Sequence, residues 1–208
     1  MVLASIAVLI LKTAFSIVLI ALIARFLAQI ARANTYNPLA QTVLKITNPF
    51  LLPLRRIIPG FGGLDIAALV CIWIGQFVLA LAIILVNGNN PVPHLGSMAV
   101  LSLLAVAGLL MTVLQWSMII VAVGSWISMG QQNPMLSFLQ ELVEPFVGPF
   151  RRLNLQIGML DLSYIIAFLV LIILRDFILG GVIVPMTGLY DNNFIGFATG
   201  GIMPVIGL

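Results

Sequence analysis

Charge is scarce in this chain. Only 7% of its 208 residues are Asp, Glu, Lys or Arg, against roughly 25% in an ordinary soluble domain. With 62% hydrophobic residues and a mean hydropathy of +1.23, the chain lacks the polar surface to cover itself in water. Lipid is the solvent that asks for no such cover. Cysteine is nearly absent as well: the single thiol, Cys71, lies within an apolar run, which excludes an intrachain disulfide and leaves a packing role. One histidine and six scattered acids supply no metal-ligand cluster and no nucleophile beside a base, and no glycine loop opens a helix for phosphate. Neither catalysis nor a metal or cofactor is expected. Basic runs with interleaved aromatics are missing too, so nucleic acid is not an expected partner. The N-terminal stretch has no basic n-region and no small-residue cleavage site; its first charge is Lys12 and it stays apolar to about Ile30, which reads as a retained first helix.

What is present is a set of long apolar runs. With a span length of about 20 residues, they fall at Val2 to Ile30, Leu64 to Val86, Met98 to Ser128 and Leu162 to Leu179. The expected fold class is an all-α membrane protein of four transmembrane helices. The link Asn87 to Ser97, rich in Gly, Asn and Pro, has the chemistry of a turn between antiparallel helices. Gly180, Gly181 and Pro185 are expected to end the fourth helix, leaving 182–208 as an interfacial or re-entrant tail.

Sliding the sequence on itself by 96 residues superposes Asn37-Pro38 on Asn133-Pro134, Pro49-Phe50-Leu51-Leu52-Pro53-Leu54-Arg55-Arg56 on Pro145-Phe146-Val147-Gly148-Pro149-Phe150-Arg151-Arg152, and Leu64-Asp65 on Leu160-Asp161. Without a gap, ten of the 29 positions from Asn37 to Asp65 are identical, Gly62 and Gly158 among them. The reading is one two-helix unit used twice, as 1–96 and 97–181. Because each unit crosses the bilayer an even number of times, the copies run parallel, related by an axis along the membrane normal. Arg32, Lys45, Arg55 and Arg56 lie in the first long connector and Arg151 and Arg152 in the second, with no basic residue around His94. Connectors 31–63 and 129–160 are therefore expected on the cytoplasmic side of a bacterial inner membrane.

Each connector carries helix signals. Asn37 and Asn133 suit an N-cap, and Pro38 and Pro134 the first turn. Leu39, Val43, Ile46 and Phe50, and likewise Met135, Leu139, Leu142 and Phe146, predict an apolar stripe opposite a polar face, as on an amphipathic interfacial helix. Pro49 and Pro145 are expected to end these helices.

The doubled Asn-Pro, the doubled Pro-Phe-x-x-Pro-x-Arg-Arg and the Gly and Leu-Asp opening a span resemble the YggT family (also called YlmG) of small bacterial and plastid membrane proteins. The resemblance runs from Arg25 to about Phe177, although Asn154 and Leu155 stand where the first copy has Ile58 and Pro59. It implies links to osmotic stress tolerance and ion uptake, to cell division and, in plastids, to cytochrome assembly and nucleoid distribution.

Three groups of candidate residues follow. Arg55, Arg56, Arg151 and Arg152 offer guanidinium forks to lipid phosphates or an acidic partner, or simply fix topology. Asp65 and Asp161, with Asn37 and Asn133, are expected helix caps, the two aspartates having pairing with an Arg as the alternative. Lys12, Gln76, Gln115, Arg175 and Asp176 fall at similar depth, about 18 to 24 Å from the connector ends of their helices. This predicts an intramembrane polar layer with Lys12 paired to Asp176, either structural or lining an ion path. Arg25 is expected to snorkel, and Gly124 with Ser128 could seat a second copy. Two functions stand side by side: a noncatalytic membrane factor docking lipids, membrane-protein partners or itself through the connectors, and an ion-conducting or transport-related protein, acting as an oligomer.

Overall fold

The computed structural model describes residues 2–58, 64–127, 133–152, 156–157 and 160–188. The helices are α1 (Val2–Ile30), α2 (Pro38–Arg55), α3 (Ile66–Val86), α4 (Leu95–Ile127, preceded by a 3₁₀ turn at Val92–His94), α5 (Pro134–Arg151) and α6, which starts at Leu162. A two-residue antiparallel ribbon, Gln156–Ile157 with Leu160–Asp161, leads into α6. α1, α3, α4 and α6 are long and apolar enough to cross a membrane, and the chain is a multi-pass membrane protein. α1 and α4, with 29 and 33 residues, are about 44 and 50 Å long at 1.5 Å per residue, more than the ~30 Å hydrocarbon layer.

The core is built where these helices meet. Leu22, Ile23 and Leu27 of α1 pack with Ile72 and Leu79 of α3, Leu109 and Met118 of α4, and Leu142 and Val147 of α5. Burial in α1 begins only at Leu19, and Leu3, Ile6, Leu9, Ile10 and Ile17 are exposed. That pattern suits lipid, where an outward apolar side chain costs nothing. Gly75 lets α3 approach α1, since a Cβ there would lie 2.8 Å from Leu19 Cδ2. The Trp73 indole N–H donates to Ala99 O at 2.9 Å, tying α3 to α4.

Two helices end in the same way. At the end of α3, Gly88 N–H donates to Leu85 O and Asn89 N–H to Ile84 O, with Gly88 at φ +77°. At the end of α1, Arg32 N–H donates to Gln29 O and Ala33 N–H to Ala28 O, with Arg32 at φ +52°. Both are Schellman closures, whose left-handed position favours glycine. α1 places an arginine there.

The structure corrects two expectations about where helices end. Helices α2 and α5 do not stop at their first prolines but run on through Pro49 and Pro53, and through Pro145 and Pro149. In each pair the prolines are four residues apart and exposed, so the carbonyls they leave without a donor lie along an open edge where water or headgroups can reach them. Of the expected stripe, Leu142 is buried and Leu39, Val43, Leu139 and Phe146 pack partly buried against the core, and the fully buried face lies beside it. It consists of Ala40, Thr47 and Leu51 in α2 and of Phe138, Leu142, Val143 and Val147 in α5. Ile46, Phe50 and Met135 are exposed, because these helices pack against the bundle on one side while still offering apolar groups on another. Finally, α6 does not break at Gly180. It widens to π geometry over Ile173–Ile183 and returns to α over Val184–Met186, and glycine at two successive positions does not stop a helix supported on its buried side by Leu179 and Val184. Of the expected tail, 189–208 lie outside the described residues.

Candidate functional site

The connectors meet the bundle at one end, and the polar side chains gather there. Asn37 caps α2 by accepting from Leu39 N–H, and Asn133 caps α5 by accepting from Met135 N–H, both at 2.9 Å. The Asn37 amide also reaches across the molecule, donating to Pro134 O at 2.8 Å and Ser137 Oγ at 3.3 Å. Asn34 N–H donates to the Glu141 carboxylate at 2.7 Å. The starts of α2 and α5 are thus joined directly.

Asp65 caps α3, accepting from Ala68 N–H at 3.2 Å, and its second oxygen pairs with the Arg55 guanidinium. Sequence reasoning offered capping and ion pairing as alternatives, and the carboxylate does both. It is 4% exposed. The side chain of Asp161, the corresponding cap, lies outside what is described. Arg151, at the position matching Arg55, donates to Glu144 and to the Tyr164 hydroxyl, both at 2.7 Å, with its guanidinium carbon 5.2 Å from the Tyr164 ring centroid. Arg56 and Arg152 are exposed. No ion pair involves either of them among the described residues.

Arg25 does not snorkel. It is 8% exposed and donates to Thr47 Oγ1 at 2.7 Å and Asn48 Oδ1 at 2.8 Å, so the end of α1 is bonded to the middle of α2. Its hydrogen-bond partners there are neutral, and the charges that act on it are those of Arg55 and Asp65. Beside it opens a cleft of about 430 Å³ lined by Arg25, Arg32 and Arg55 together with Ala40, Val43, Leu44 and Phe138.

The intramembrane residues divide. Arg175, 14% exposed, donates to Gln115 Oε1 at 2.6 Å and Thr112 Oγ1 at 3.3 Å and pairs with Asp176 at 2.7 Å. These four residues border a pocket of about 200 Å³ between α4 and α6. Asp176 therefore pairs with its neighbour rather than with Lys12, because α6 packs on α4 and α5 while Lys12 sits in the outward half of α1. Gln76 is buried in α3 with its amide nitrogen unpartnered, as is that of Gln115. Gly124 seats a neighbour within the chain, since a Cβ there would fall 2.4 Å from Leu136 Cδ2 of α5; Ser128, its expected companion, lies outside the described residues.

Set against known proteins, the chain matches the CCB3/YggT family model twice, over residues 4–86 and 100–182. The chain belongs to the CCB3/YggT family. The start positions differ by 96 residues (100 − 4), as do the end positions (182 − 86). Relatives include an uncharacterized protein of Pseudomonas aeruginosa, 38% identical over 88% of this chain and 92% of its own length. Another, from Vibrio alginolyticus and named only for the proC 3′ region, is 34% identical over 84% and 94%. The uncharacterized protein YggT of Escherichia coli K12 is 33% identical over 79% and 85%. No solved structure matches. In this YggT-family chain, sequence reasoning missed the Arg25 and Arg32 contributions to the cleft. A signal existed for Arg32, in that the other Schellman closure of the chain carries Gly88 at the same position.

Proposed function

We propose that this YggT-family protein is a noncatalytic membrane factor of the bacterial cytoplasmic membrane. Its two units, 1–96 and 97–181, hold α2 and α5 side by side as amphipathic elbows on the cytoplasmic face. There Arg55, Arg56, Arg151 and Arg152 dock lipid headgroups or an acidic membrane-protein partner. The observation that carries this reading is the direct bonding of the two elbows at their starts, Asn37 to Pro134 and Ser137 and Asn34 to Glu141, together with the exposure of Arg56 and Arg152 at their far ends. The doubled family match supports the duplicated unit, and the basic connectors opposite an uncharged hairpin support the orientation. Its setting is among those attached to the family: osmotic tolerance, cell division or assembly of membrane complexes. A conducting role asks for a polar layer drawn from all four spans, whereas the bonded cluster here involves α4 and α6 alone.

The test replaces Arg55, Arg56, Arg151 and Arg152 with Gln in the full-length protein and compares it with Asp176→Leu. Loss of complementation under osmotic stress in the first variant, with normal membrane insertion, is the expected result. Cation flux through liposomes carrying the purified protein, abolished by Asp176→Leu, would overturn the proposal.

A further inference from the structure

We infer that the cleft between the end of α1 and α2 is a binding site for the phosphate group of an anionic phospholipid. The inference rests on the docking reading above, and moves the specific contact from the exposed arginine pairs into this cleft. Three guanidinium groups, of Arg25, Arg32 and Arg55, line one space, and among the described residues Asp65 is the one carboxylate in contact with any of them, through Arg55. The Glu141 carboxylate, bonded to the Asn34 amide, is not among the residues that line the cleft. Arg25 is the deepest and has only neutral partners, Thr47 and Asn48. The carboxylate nearest in effect to Arg25, that of Asp65, is paired with Arg55, which itself repels Arg25; positive charge is therefore in excess in a partly buried space, and an anion entering the cleft relieves that cost. Guanidinium forks suit phosphate oxygens, which they meet with paired hydrogen bonds.

Arg32 makes the case specific. It occupies a left-handed position, φ +52°, that the equivalent closure of α3 fills with Gly88. A bulky residue held there against its backbone preference points to a use for its side chain. The choice of a lipid over a free ion rests on the remaining lining. Ala40, Val43, Leu44 and Phe138 are apolar, and the cleft lies at the connector end of α1, a helix long and apolar enough to cross a membrane. A phosphate esterified to an acyl-bearing glycerol fits both the charged and the apolar parts.

The experiment measures lipid retention on the full-length protein by native mass spectrometry from detergent, with phosphatidylglycerol, phosphatidylcholine and inorganic phosphate as probes. Three proteins are compared: wild type, Arg32→Gly, and Arg56→Gln with Arg152→Gln. Glycine relieves the left-handed backbone, so Arg32→Gly removes the charge without weakening the fold, and an unchanged melting temperature verifies this. Expected is one phosphatidylglycerol held in preference to phosphatidylcholine, and bound about tenfold more weakly by Arg32→Gly, as the loss of one charge-assisted contact implies. Wild-type retention by Arg32→Gly overturns the cleft. Displacement of the lipid by inorganic phosphate at equal concentration overturns the lipid as the source of the phosphate. If the Arg56→Gln, Arg152→Gln protein loses the lipid while Arg32→Gly keeps it, the cleft fails and the docking platform stands; if neither variant changes retention, both fail.

Discussion

Asp65 combines two tasks in one carboxylate, with one oxygen on the Ala68 amide and the other on Arg55. Substitutions can separate them. Asparagine caps a helix about as well as aspartate but carries no charge. Asp65→Asn is therefore expected to lose only the ion pair, which contributes modestly because Arg55 is 40% exposed. Asp65→Ala loses the cap as well and should be less stable than Asp65→Asn by about 1 kcal/mol. Unfolding of the two variants in detergent micelles, followed by circular dichroism, makes the comparison. Equal destabilisation would mean that the capping bond contributes nothing. The caps at Asn37, Asp65 and Asn133 were legible in the sequence because a capping residue acts over three or four residues of chain. The partner of Arg25 was not, since whether an arginine near a helix end reaches water or Thr47 depends on where the following helix folds back.

At the scale of elements, the four spans could be read from their apolar runs, and the observed bounds lie within three residues of them except at the end of α6, which runs on from Leu179 to Met186. The connector helices were legible at their starts and not at their ends. A proline rule states the cost of a missing hydrogen bond but not whether the freed carbonyl is solvated, and in α2 and α5 the exposed edge solvates it. Pro49→Ala and Pro145→Ala are accordingly expected to restore an amide donor and stabilise each helix, by less than the ~3 kcal/mol that a proline costs in a helix interior. Hydrogen exchange should find the new amides at positions 49 and 145 protected; rapid exchange there would show that the helices are already interrupted at those points. The apolar stripe was legible in part, because periodicity marks apolar faces without saying how much of each meets the bundle: Leu39, Val43, Leu139, Leu142 and Phe146 pack on the core, and Ile46, Phe50 and Met135 are exposed. Packing at Gly124 offers a further test. Gly124→Leu is expected to force α5 away from α4 and lower the melting temperature, and Leu136→Ala, which empties the contacted space, should restore part of the loss. Additive effects of the two changes would remove Gly124 from the α4–α5 contact.

At the scale of the whole molecule, the two elbows on one side follow from the even number of crossings in each unit, so the orientation and the duplication stand or fall together. In a Cys71→Ser background, Arg56→Cys and Arg152→Cys are expected to react with a membrane-impermeant maleimide in inside-out vesicles and not in intact spheroplasts. Asn90→Cys, in the link between α3 and α4, should do the reverse. Labelling of positions 56 and 152 from opposite faces would rule out parallel units. The same background tests the joint between the halves: Asn37→Cys with Ser137→Cys should be linked within one chain by a short thiol-reactive cross-linker, because those side chains meet at 3.3 Å. A cross-link that forms only between chains would place α2 against the α5 of a second copy, and the platform carrying Arg56 and Arg152 would then be shared between two molecules. The labelling pattern would stay the same in that case, so both measurements are needed to distinguish a platform built inside one chain from one built by exchange.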